Sequence, residues 1–356
     1  MKKHNYSAGP CILPQEVFEK SAQAILNFND SGLSLLEISH RSKDFVSVMD
    51  QARALALELL GLEGKGYQAL FLAGGASLEF VMAPYNLMKV GGKAAYLDTG
   101  TWAAAAIKEA KLFGETVVVG SSKDDNYNHI PTGYSIPTDA DYFHCTSNNT
   151  IFGTQMKTFP TTEVPVVCDM SSDIFSRVLD FSQFDLIYAG AQKNMGPAGT
   201  TLVVVKESIL GKSGREIPSM LDYSKHIKAE SMYNTPPVFP VYTSLLTLQW
   251  LKNLGGIAAI EKQNNAKADL LYSEIDRNPL FKGAAAVADR SAMNATFLLN
   301  DEAHAPIFDE MWKAAGISGL PGHRSVGGYR ASMYNALPLE SAQVLVDVMK
   351  ALETKV

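Results

Sequence analysis

The sequence is poor in the features that mark secreted and membrane-embedded proteins. It has only three cysteines, Cys11, Cys145 and Cys168, and this odd, scattered set favours free thiols in a reducing compartment. No apolar run reaches the roughly 18 residues that a membrane-spanning helix needs. The first ten residues, MKKHNYSAGP, contain no apolar segment typical of a secretory signal. We therefore expect a cytoplasmic protein with no membrane partner.

Basic residues are also few. Lysine and arginine total 31 against 37 aspartate and glutamate residues, which gives a formal net charge of −6. A nucleic-acid-binding protein normally shows a basic excess or stripe, so no nucleic-acid partner is expected. The histidines show no metal-ligand spacing with cysteines or acidic residues, which predicts no metal site. The chain has no G-x-S-x-G motif of a serine hydrolase, and its P-loop-like Gly211 lacks the required preceding glycine.

The chain does contain a regular alternation of helix-like and strand-like segments. A helical period from about Lys43 to Leu60 ends at Gly61, and a longer one is broken at Gly255 and Gly256. Between helices stand short apolar runs typical of strands buried on both faces. They are YQALFL, AAYLD, TVVVG, YFHCTS, VPVVCD, FDLIYAG and TTLVVVK.

This alternation predicts an α/β protein. We expect a large domain, residues 16–260, built on a mainly parallel sheet. The pattern after it differs, and we expect residues 1–15 and 261–356 to form a smaller α+β domain. At 356 residues the chain is long enough for two domains of ordinary size.

A lysine follows one of the predicted buried strands. Lys193 stands in YAGAQKNMGPAG, a segment rich in small residues that leave room for a bulky group. Most loop lysines are surface residues. Desolvation at the end of a buried strand, however, would lower the pKa of this lysine and make it a nucleophile towards carbonyl groups. Lys193 is therefore a candidate for a Schiff base.

An aspartate closes another predicted strand. Asp169 ends VPVVCD and precedes Lys193 by 24 residues, a spacing that fits two strands of one sheet. Such aspartates are commonly turn residues or helix caps. Ligands of open α/β sheets, however, gather at the carboxyl ends of the strands, where both residues would meet. A carboxylate there could keep a pyridine nitrogen protonated, which lets the ring accept electrons.

Two further segments fit a flat, phosphorylated ligand. LAGGAS, with Gly74, Gly75, Ala76 and Ser77, joins a predicted strand to a helix, where free backbone N–H groups can hold a phosphate. Trp102 begins the next helix and could stack on a ring, although packing is the more usual role of a tryptophan. Each signal is weak by itself.

The remaining candidates are cations. His40-Arg41 and His323-Arg324 are each followed by serine, and Arg330 follows the second pair. The planar guanidinium group suits carboxylate and phosphate. Surface charge remains the alternative for any single arginine.

Taken together, these segments resemble the phosphoserine aminotransferase family, class V enzymes of fold-type I that use pyridoxal 5′-phosphate (PLP). The resemblance covers nearly the whole chain. It implies transfer of an amino group between L-glutamate and 3-phosphohydroxypyruvate, giving O-phospho-L-serine and 2-oxoglutarate in serine biosynthesis. A related role with 4-phosphohydroxythreonine, in PLP synthesis, stays open. The segments are NYSAGP, SHRS, GGAS, TGTW, VCDMSSDIFSR, YAGAQKNMGPAG, SMYNTPPVFPVY and GHRSVGGYRASMYNALPLE.

The resemblance assigns roles to individual residues. Lys193 would form the Schiff base and Asp169 would hold the pyridine nitrogen. The other implied cofactor contacts are Ala76, Ser77 and Gln192 at the phosphate, Trp102 on the ring and Thr150 near O3′. Asn234 and Thr235 would reach the phosphate from a neighbouring subunit, which implies a homodimer with shared sites. The implied substrate residues are Arg330 for the α-carboxylate and His40, Arg41, His323 and Arg324 for the distal phosphate or γ-carboxylate.

The chain departs from the family pattern at three positions. Ala8 replaces a serine found in some members, Ser77 replaces an arginine, and Glu79 stands where glutamine is frequent. Three other functions remain open. They are another fold-type I enzyme acting on serine, alanine or glyoxylate, a PLP-binding regulator without turnover, and a nucleotide-binding α/β protein.

Overall fold

A computed structural model describes residues 3–356. Its α-helices are α1 (Gln15–Leu26), α2 (Lys43–Leu60), α3 (Gly75–Leu87), α4 (Thr101–Ala110), α5 (Tyr223–Lys228), α6 (Val238–Asn253), α7 (Gly256–Arg277), α8 (Ala305–Ala314) and α9 (Leu339–Lys355). Its strands are β1 (His4–Asn5), β2 (Tyr67–Leu72), β3 (Lys93–Asp98), β4 (Glu115–Ser121), β5 (Tyr142–Thr146), β6 (Asn148–Asn149), β7 (Thr154–Gln155), β8 (Val166–Asp169), β9 (Leu186–Gly190), β10 (Thr201–Lys206), β11 (Phe281–Gly283), β12 (Asn294–Leu299), β13 (Ile317–Ser318) and β14 (Tyr329–Ser332).

Seven strands form the central sheet, in the order β2-β10-β9-β8-β5-β3-β4. All neighbouring pairs are parallel except those of β10, which runs antiparallel to both β2 and β9. Apolar side chains cover both faces, because alternate residues of one strand enter two different clusters: Val167 packs on one face and Cys168 on the other. The predicted α/β fold with a mainly parallel sheet is confirmed.

Local sequence signals explain where the helices end. The Ser42 hydroxyl accepts a hydrogen bond from the Phe45 amide, 3.3 Å away, and so caps the start of α2. Gly61 ends this helix with a φ of 65°, a left-handed conformation that suits glycine. The break between α6 and α7 falls at Gly255 and Gly256, where φ is 109° and 74°. Both breaks lie where the glycines predict them.

The C-terminal part has its own sheet, in the antiparallel order β11-β12-β14. Helices α7, α8 and α9 pack around it in an apolar cluster that also includes Tyr6 and Ile12 from the start of the chain. Strand β1 pairs with β13, which ties the first described residues to this part of the molecule. None of the helices among residues 3–356 combines the length and apolarity required to cross a membrane.

Candidate active site

Lys193 lies at the carboxyl edge of the central sheet, three residues after Gly190 ends β9. Its Nζ donates a hydrogen bond to Thr150 Oγ1 at 2.8 Å and lies 5.9 Å from the centre of the Trp102 ring. Burial lowers the pKa of Lys193, and the nearby Asp169 carboxylate opposes that change. Lowering the pKa enlarges the fraction of neutral amine, the nucleophilic form of lysine.

Asp169 is the last residue of β8, beside β5 on one side and β9 on the other. The side chain is buried, with Oδ1 accepting a hydrogen bond from the Ser171 amide at 2.9 Å. Burial raises the pKa of this carboxyl group, while Ser171 and Lys193 favour its charged form. The sheet therefore brings Asp169 and Lys193 to one edge, as their spacing predicts.

A turn with two glycines begins α3 at the same edge. Gly74 has a φ of 108°, and a Cβ there would lie 2.4 Å from Leu78 Cδ2, so the turn requires glycine. Ala76 and Ser77 stand in the first turn of α3, where backbone N–H groups have no partner within the helix. Such N–H groups, together with the helix dipole, suit a phosphate.

Trp102 stands in the first turn of α4 and is 38% exposed, so one part of its ring remains accessible. The helix can begin there because Gly100 has no side chain: a Cβ would lie 2.9 Å from Asn149 Oδ1.

The half-buried Gln192 accepts a hydrogen bond at its backbone oxygen from the Cys11 amide, 3.1 Å away. The N-terminal segment therefore packs directly against the segment that carries Lys193.

Arg330, on β14, brings a positive charge to the other side of the site. Its Nη1 donates to the Thr150 backbone oxygen at 3.3 Å, and its Nε is buried without a hydrogen-bond partner among the described residues. Burial lowers the pKa of His323, as do the charges of Arg330 and Arg324. Arg330 and Arg324 thus form a cationic group beside His323, and the unpaired Nε of Arg330 suits an anionic ligand.

Four of the predicted site residues lie elsewhere in the chain. His40 is half-buried and Arg41 exposed, in the segment before α2, whereas Asn234 and Thr235 are exposed before α6. Within residues 3–356 no hydrogen bond or ion pair joins them to Lys193, Asp169 or Arg330. Residues 3–356 also contain no group of three or more His, Cys, Asp or Glu side chains placed to hold a metal ion.

Comparison with known proteins gives consistent matches along the whole chain. The family model described as aminotransferase class-V matches residues 4–345. A phosphoserine aminotransferase of Flavobacterium psychrophilum is 84% identical over 356 residues, covering 100% of both chains. The chain belongs to the phosphoserine aminotransferase family.

Solved structures of phosphoserine aminotransferases agree with this placement. One, studied for radiation damage of its Schiff base, has a TM-score of 0.96 and 45% identity and covers 100% of both chains. Another, the PLP-bound enzyme of Trichomonas vaginalis, has a TM-score of 0.92 and 34% identity, covering 98% of this chain and 100% of that one. The chain is a PLP-dependent transaminase, and PLP is its cofactor.

The residues of this phosphoserine aminotransferase site fit that cofactor. The partly exposed ring of Trp102 and the free amides of α3 suit an aromatic ring and a phosphate, and Asp169 is a buried carboxylate beside the Lys193 amine. Two further polar residues, Asp173 and Tyr334, are buried here and were not predicted as site residues. Nothing in the surrounding segments VCDMSSD and ASMYN indicates that these side chains are buried, because burial depends on how the chain packs.

Glu79 is the family departure that the structure explains. Its side chain is fully buried on α3, where Oε2 accepts a hydrogen bond from the Tyr223 hydroxyl at 2.5 Å and Oε1 has no partner among the described residues. Burial raises the pKa of Glu79 to about 7, with the Tyr223 hydrogen bond opposing the rise. Below this pH the group is a neutral acid, close in shape and charge to the glutamine frequent at this position.

A Glu79→Gln variant should therefore change how stability depends on pH. Because the folded-state pKa lies above the ordinary value, the free energy of unfolding falls as pH rises from about 4.5 through about 7. The variant lacks this loss, so we expect it to match the parent near pH 5 and to exceed it by ~2–3 kcal/mol at pH 8. Denaturant unfolding at both pH values measures the difference. Equal stability changes at the two pH values would show that Glu79 does not titrate in this range.

Proposed function

We propose that Lys193 and Asp169 carry out the chemistry of the phosphoserine aminotransferase reaction in this chain. That reaction moves an amino group between L-glutamate and 3-phosphohydroxypyruvate, with O-phospho-L-serine and 2-oxoglutarate as products. The observation that carries these roles is the placement of one half-buried amine at the sheet edge, where the buried Asp169 carboxylate and the Arg330 guanidinium both act on it.

The two residues divide the work. When bound, PLP supplies a conjugated ring that takes up the electron pair released as the substrate Cα proton leaves. Lys193 would bind the cofactor covalently and, as a free amine, would carry the Cα proton on its Nζ. Asp169 would favour a proton on the pyridine nitrogen, since a buried carboxylate stabilises a positive charge without competition from water. Thr150 orients the Lys193 amine through the 2.8 Å hydrogen bond.

The cofactor phosphate and ring would be held by neighbouring groups. We propose that the amides of Ala76 and Ser77, the Ser77 hydroxyl and Gln192 bind the phosphate, and that Trp102 stacks on the ring. Support comes from the free first-turn amides of α3 and from the accessible indole. Because Ser77 has no positive charge, the amides and the helix dipole must provide most of the attraction.

The cationic group suits substrates with two anionic ends. We propose that Arg330, with its unpaired buried Nε, binds the α-carboxylate that both substrates share. His323 and Arg324, with His40 and Arg41, would bind the γ-carboxylate of glutamate or the phosphate of the other substrate. Cationic hydrogen-bond donors can bind either anion, whereas an apolar pocket would bind neither.

Replacing Arg324 with alanine tests the anion role. A lost charge-assisted hydrogen bond is worth roughly 1.5–3 kcal/mol, so KM for 3-phosphohydroxypyruvate should rise about 10–100-fold. Binding of the dianionic phosphate should weaken more than binding of the singly charged γ-carboxylate, so KM for glutamate should rise less. Steady-state kinetics measure both, and Lys282→Ala, at an exposed lysine of the C-terminal part, is the control. Unchanged KM values for both substrates would remove Arg324 from the site.

We further propose a homodimer in which Asn234 and Thr235 reach the cofactor phosphate of the partner. Both side chains are exposed and lie apart from Lys193 in the single chain. The segment before α2, which carries His40 and Arg41, also exposes Leu33 and Leu36, at 46% and 62%. Exposed apolar residues beside functional groups are typical of an interface between subunits.

Mixed dimers test this sharing of sites. Lys193→Ala chains and chains with both Asn234→Ala and Thr235→Ala should each be nearly inactive. A mixed dimer would contain one site with all native residues and one with both defects. Random mixing makes half of the dimers mixed, so about a quarter of parental activity should return. Proven mixed dimers without activity would show that the sites are not shared.

One assay tests the substrate itself. With 2-oxoglutarate as acceptor, we expect phosphoserine to be used at least about 10-fold better than serine or alanine, measured as kcat/KM. A preference for an unphosphorylated donor would favour the serine or alanine–glyoxylate type. The same assay with 4-phosphohydroxythreonine measures the second reaction that the resemblance leaves open.

We also propose the division into a large domain, residues 16–260, and a small domain, residues 1–15 and 261–356. Separate apolar clusters on the central sheet and around the C-terminal sheet support it.

The three free cysteines support a reducing, cytoplasmic location.

A further inference from the structure

A second buried carboxylate stands beside Asp169 and has no part in the roles proposed above. Asp173 lies four residues further along the chain, and its side chain is 1% exposed. Both of its oxygens accept hydrogen bonds. The donors are Ser147 Oγ to Oδ1, and Gln155 Nε2 at 3.2 Å and Arg177 Nη2 at 2.9 Å to Oδ2. Asp173 is therefore a fully bonded, ion-paired carboxylate in the interior.

Ser147 connects this carboxylate to the backbone of Asp169. The Ser147 amide lies 3.0 Å from the Asp169 carbonyl oxygen, and its hydroxyl lies 3.1 Å from the same oxygen. The Asp173 amide donates to the Met170 carbonyl at 3.1 Å, which closes the turn between the two aspartates. The end of β8, and with it the direction of the Asp169 side chain, is thus held by groups bonded to Asp173.

The charge of Asp173 also acts on the reacting groups. It raises the pKa of Lys193 and adds to the rise that burial causes in Asp169. The other charged or titratable groups that act on Lys193 are Asp169, Arg330 and Cys11. Asp173 itself is paired with Arg177 and also acts on Lys157. The Arg177 guanidinium, whose Nη2 lies 2.9 Å from Asp173 Oδ2, offsets part of the negative charge of this carboxylate.

We propose that Asp173 is a positioning residue of the transamination site, whose buried carboxylate holds the end of β8, and with it Asp169, through the Ser147 hydroxyl. This inference rests on the proposed roles of Lys193 and Asp169. The negative charge of Asp173 also favours the ammonium form that Lys193 takes when it accepts a proton. A buried ion pair kept only for packing would have no such effect.

Three variants separate the charge from the hydrogen bonds. Asp173→Asn keeps the shape and removes the charge, because its amide can face Ser147 while its oxygen faces Arg177. Ser147→Ala removes the hydroxyl that joins Asp173 to the Asp169 carbonyl, while the backbone amide bond and the charge of Asp173 remain. Arg177→Gln removes the compensating positive charge. The holoenzyme of each is assayed for the pH dependence of kcat. The full chain, freed of PLP, is then treated with acetic anhydride from pH 6 to 10, and peptide mass mapping gives the midpoint of Lys193 acetylation.

We expect Asp173→Asn to lower the acetylation midpoint by about one pH unit and to move the kcat profile in the same direction. Arg177→Gln should raise the midpoint. Ser147→Ala should leave the midpoint unchanged but lower kcat about 10-fold, because Asp169 loses the contact that positions it. A folded Asp173→Asn protein with the parental midpoint would overturn the proposal, as would a folded Ser147→Ala protein with the parental kcat. If Asp173→Asn does not fold, a midpoint in Arg177→Gln that does not rise would overturn it.

A failure of the proposed catalytic roles would look different. In that case Lys193→Ala would retain transamination, while the acetylation midpoint of Lys193 could still move with the charge of Asp173. The two results are obtained on separate proteins and do not depend on each other.

Discussion

Replacing Lys193 with alanine is expected to lower kcat by ~10⁴-fold or more. The variant loses both the covalent attachment point of PLP and the group that moves the Cα proton. The parental amine is held at the sheet edge by Thr150 at 2.8 Å, beside the Trp102 ring, and alanine places no nitrogen there. The visible absorbance of the bound cofactor should change, and borohydride treatment should no longer fix PLP to the peptide that contains residue 193.

Lys212→Ala is the matched control for this prediction. Lys212 is an exposed lysine in the loop that follows β10, so its removal should leave kcat, the absorbance spectrum and the borohydride adduct unchanged. Added PLP should bind non-covalently to the Lys193→Ala protein, which shows that the site is intact. Parental turnover in that variant would refute the assignment of Lys193.

The second large effect is expected at Asp169. Asp169→Asn keeps the size and the hydrogen bond from the Ser171 amide, 2.9 Å in the parent, but removes the negative charge. The pyridine nitrogen then has no partner that holds its proton, and kcat should fall ~10²–10⁴-fold. KM for glutamate should change less, because Asp169 makes no contact proposed for the substrate.

Spectroscopy distinguishes this effect from a structural defect. The Asp169→Asn protein should still attach PLP at Lys193, since the amine and Thr150 are unchanged, and its thermal unfolding should stay cooperative. Asp124→Asn, at an exposed aspartate, is the control and should retain parental kcat. An Asp169→Asn enzyme with parental kcat would mean that the carboxylate charge is not required.

Much of the fold could be predicted because its signals are local. The strands of the central sheet are short apolar runs, and each helix boundary at Gly61 or Gly255 depends on one residue with a special backbone conformation. The antiparallel direction of β10 has no such signal. The segment TTLVVVK has the same apolar pattern as the other buried strands. Its direction follows from the path of the chain after Lys193, which only the complete fold shows.

The site could be predicted only in part, for the same reason. Strand ends identify Asp169 and Lys193, and a glycine turn identifies Ala76 and Ser77. His323, Arg324 and Arg330 come from the small C-terminal part, and their approach to Lys193 depends on how two sheets pack. For His40, Arg41, Asn234 and Thr235 the single chain offers no contact with the reacting groups, so the resemblance to the family remains their main support.

The amino-acid sequence by itself determined the class of fold, and it was enough to propose Lys193 and Asp169 as the reacting pair. These depend on hydrophobic periodicity and on the residue that follows each buried strand, both of which are short-range properties. Tertiary structure alone decided the electrostatics. Residues far apart in the chain, such as Ser147, Arg177 and Arg330, meet around Asp169, Asp173 and Lys193, and burial among them shifts the pKa of Asp169 and of Lys193. Burial is a property of the whole packed chain, and no local pattern encodes it.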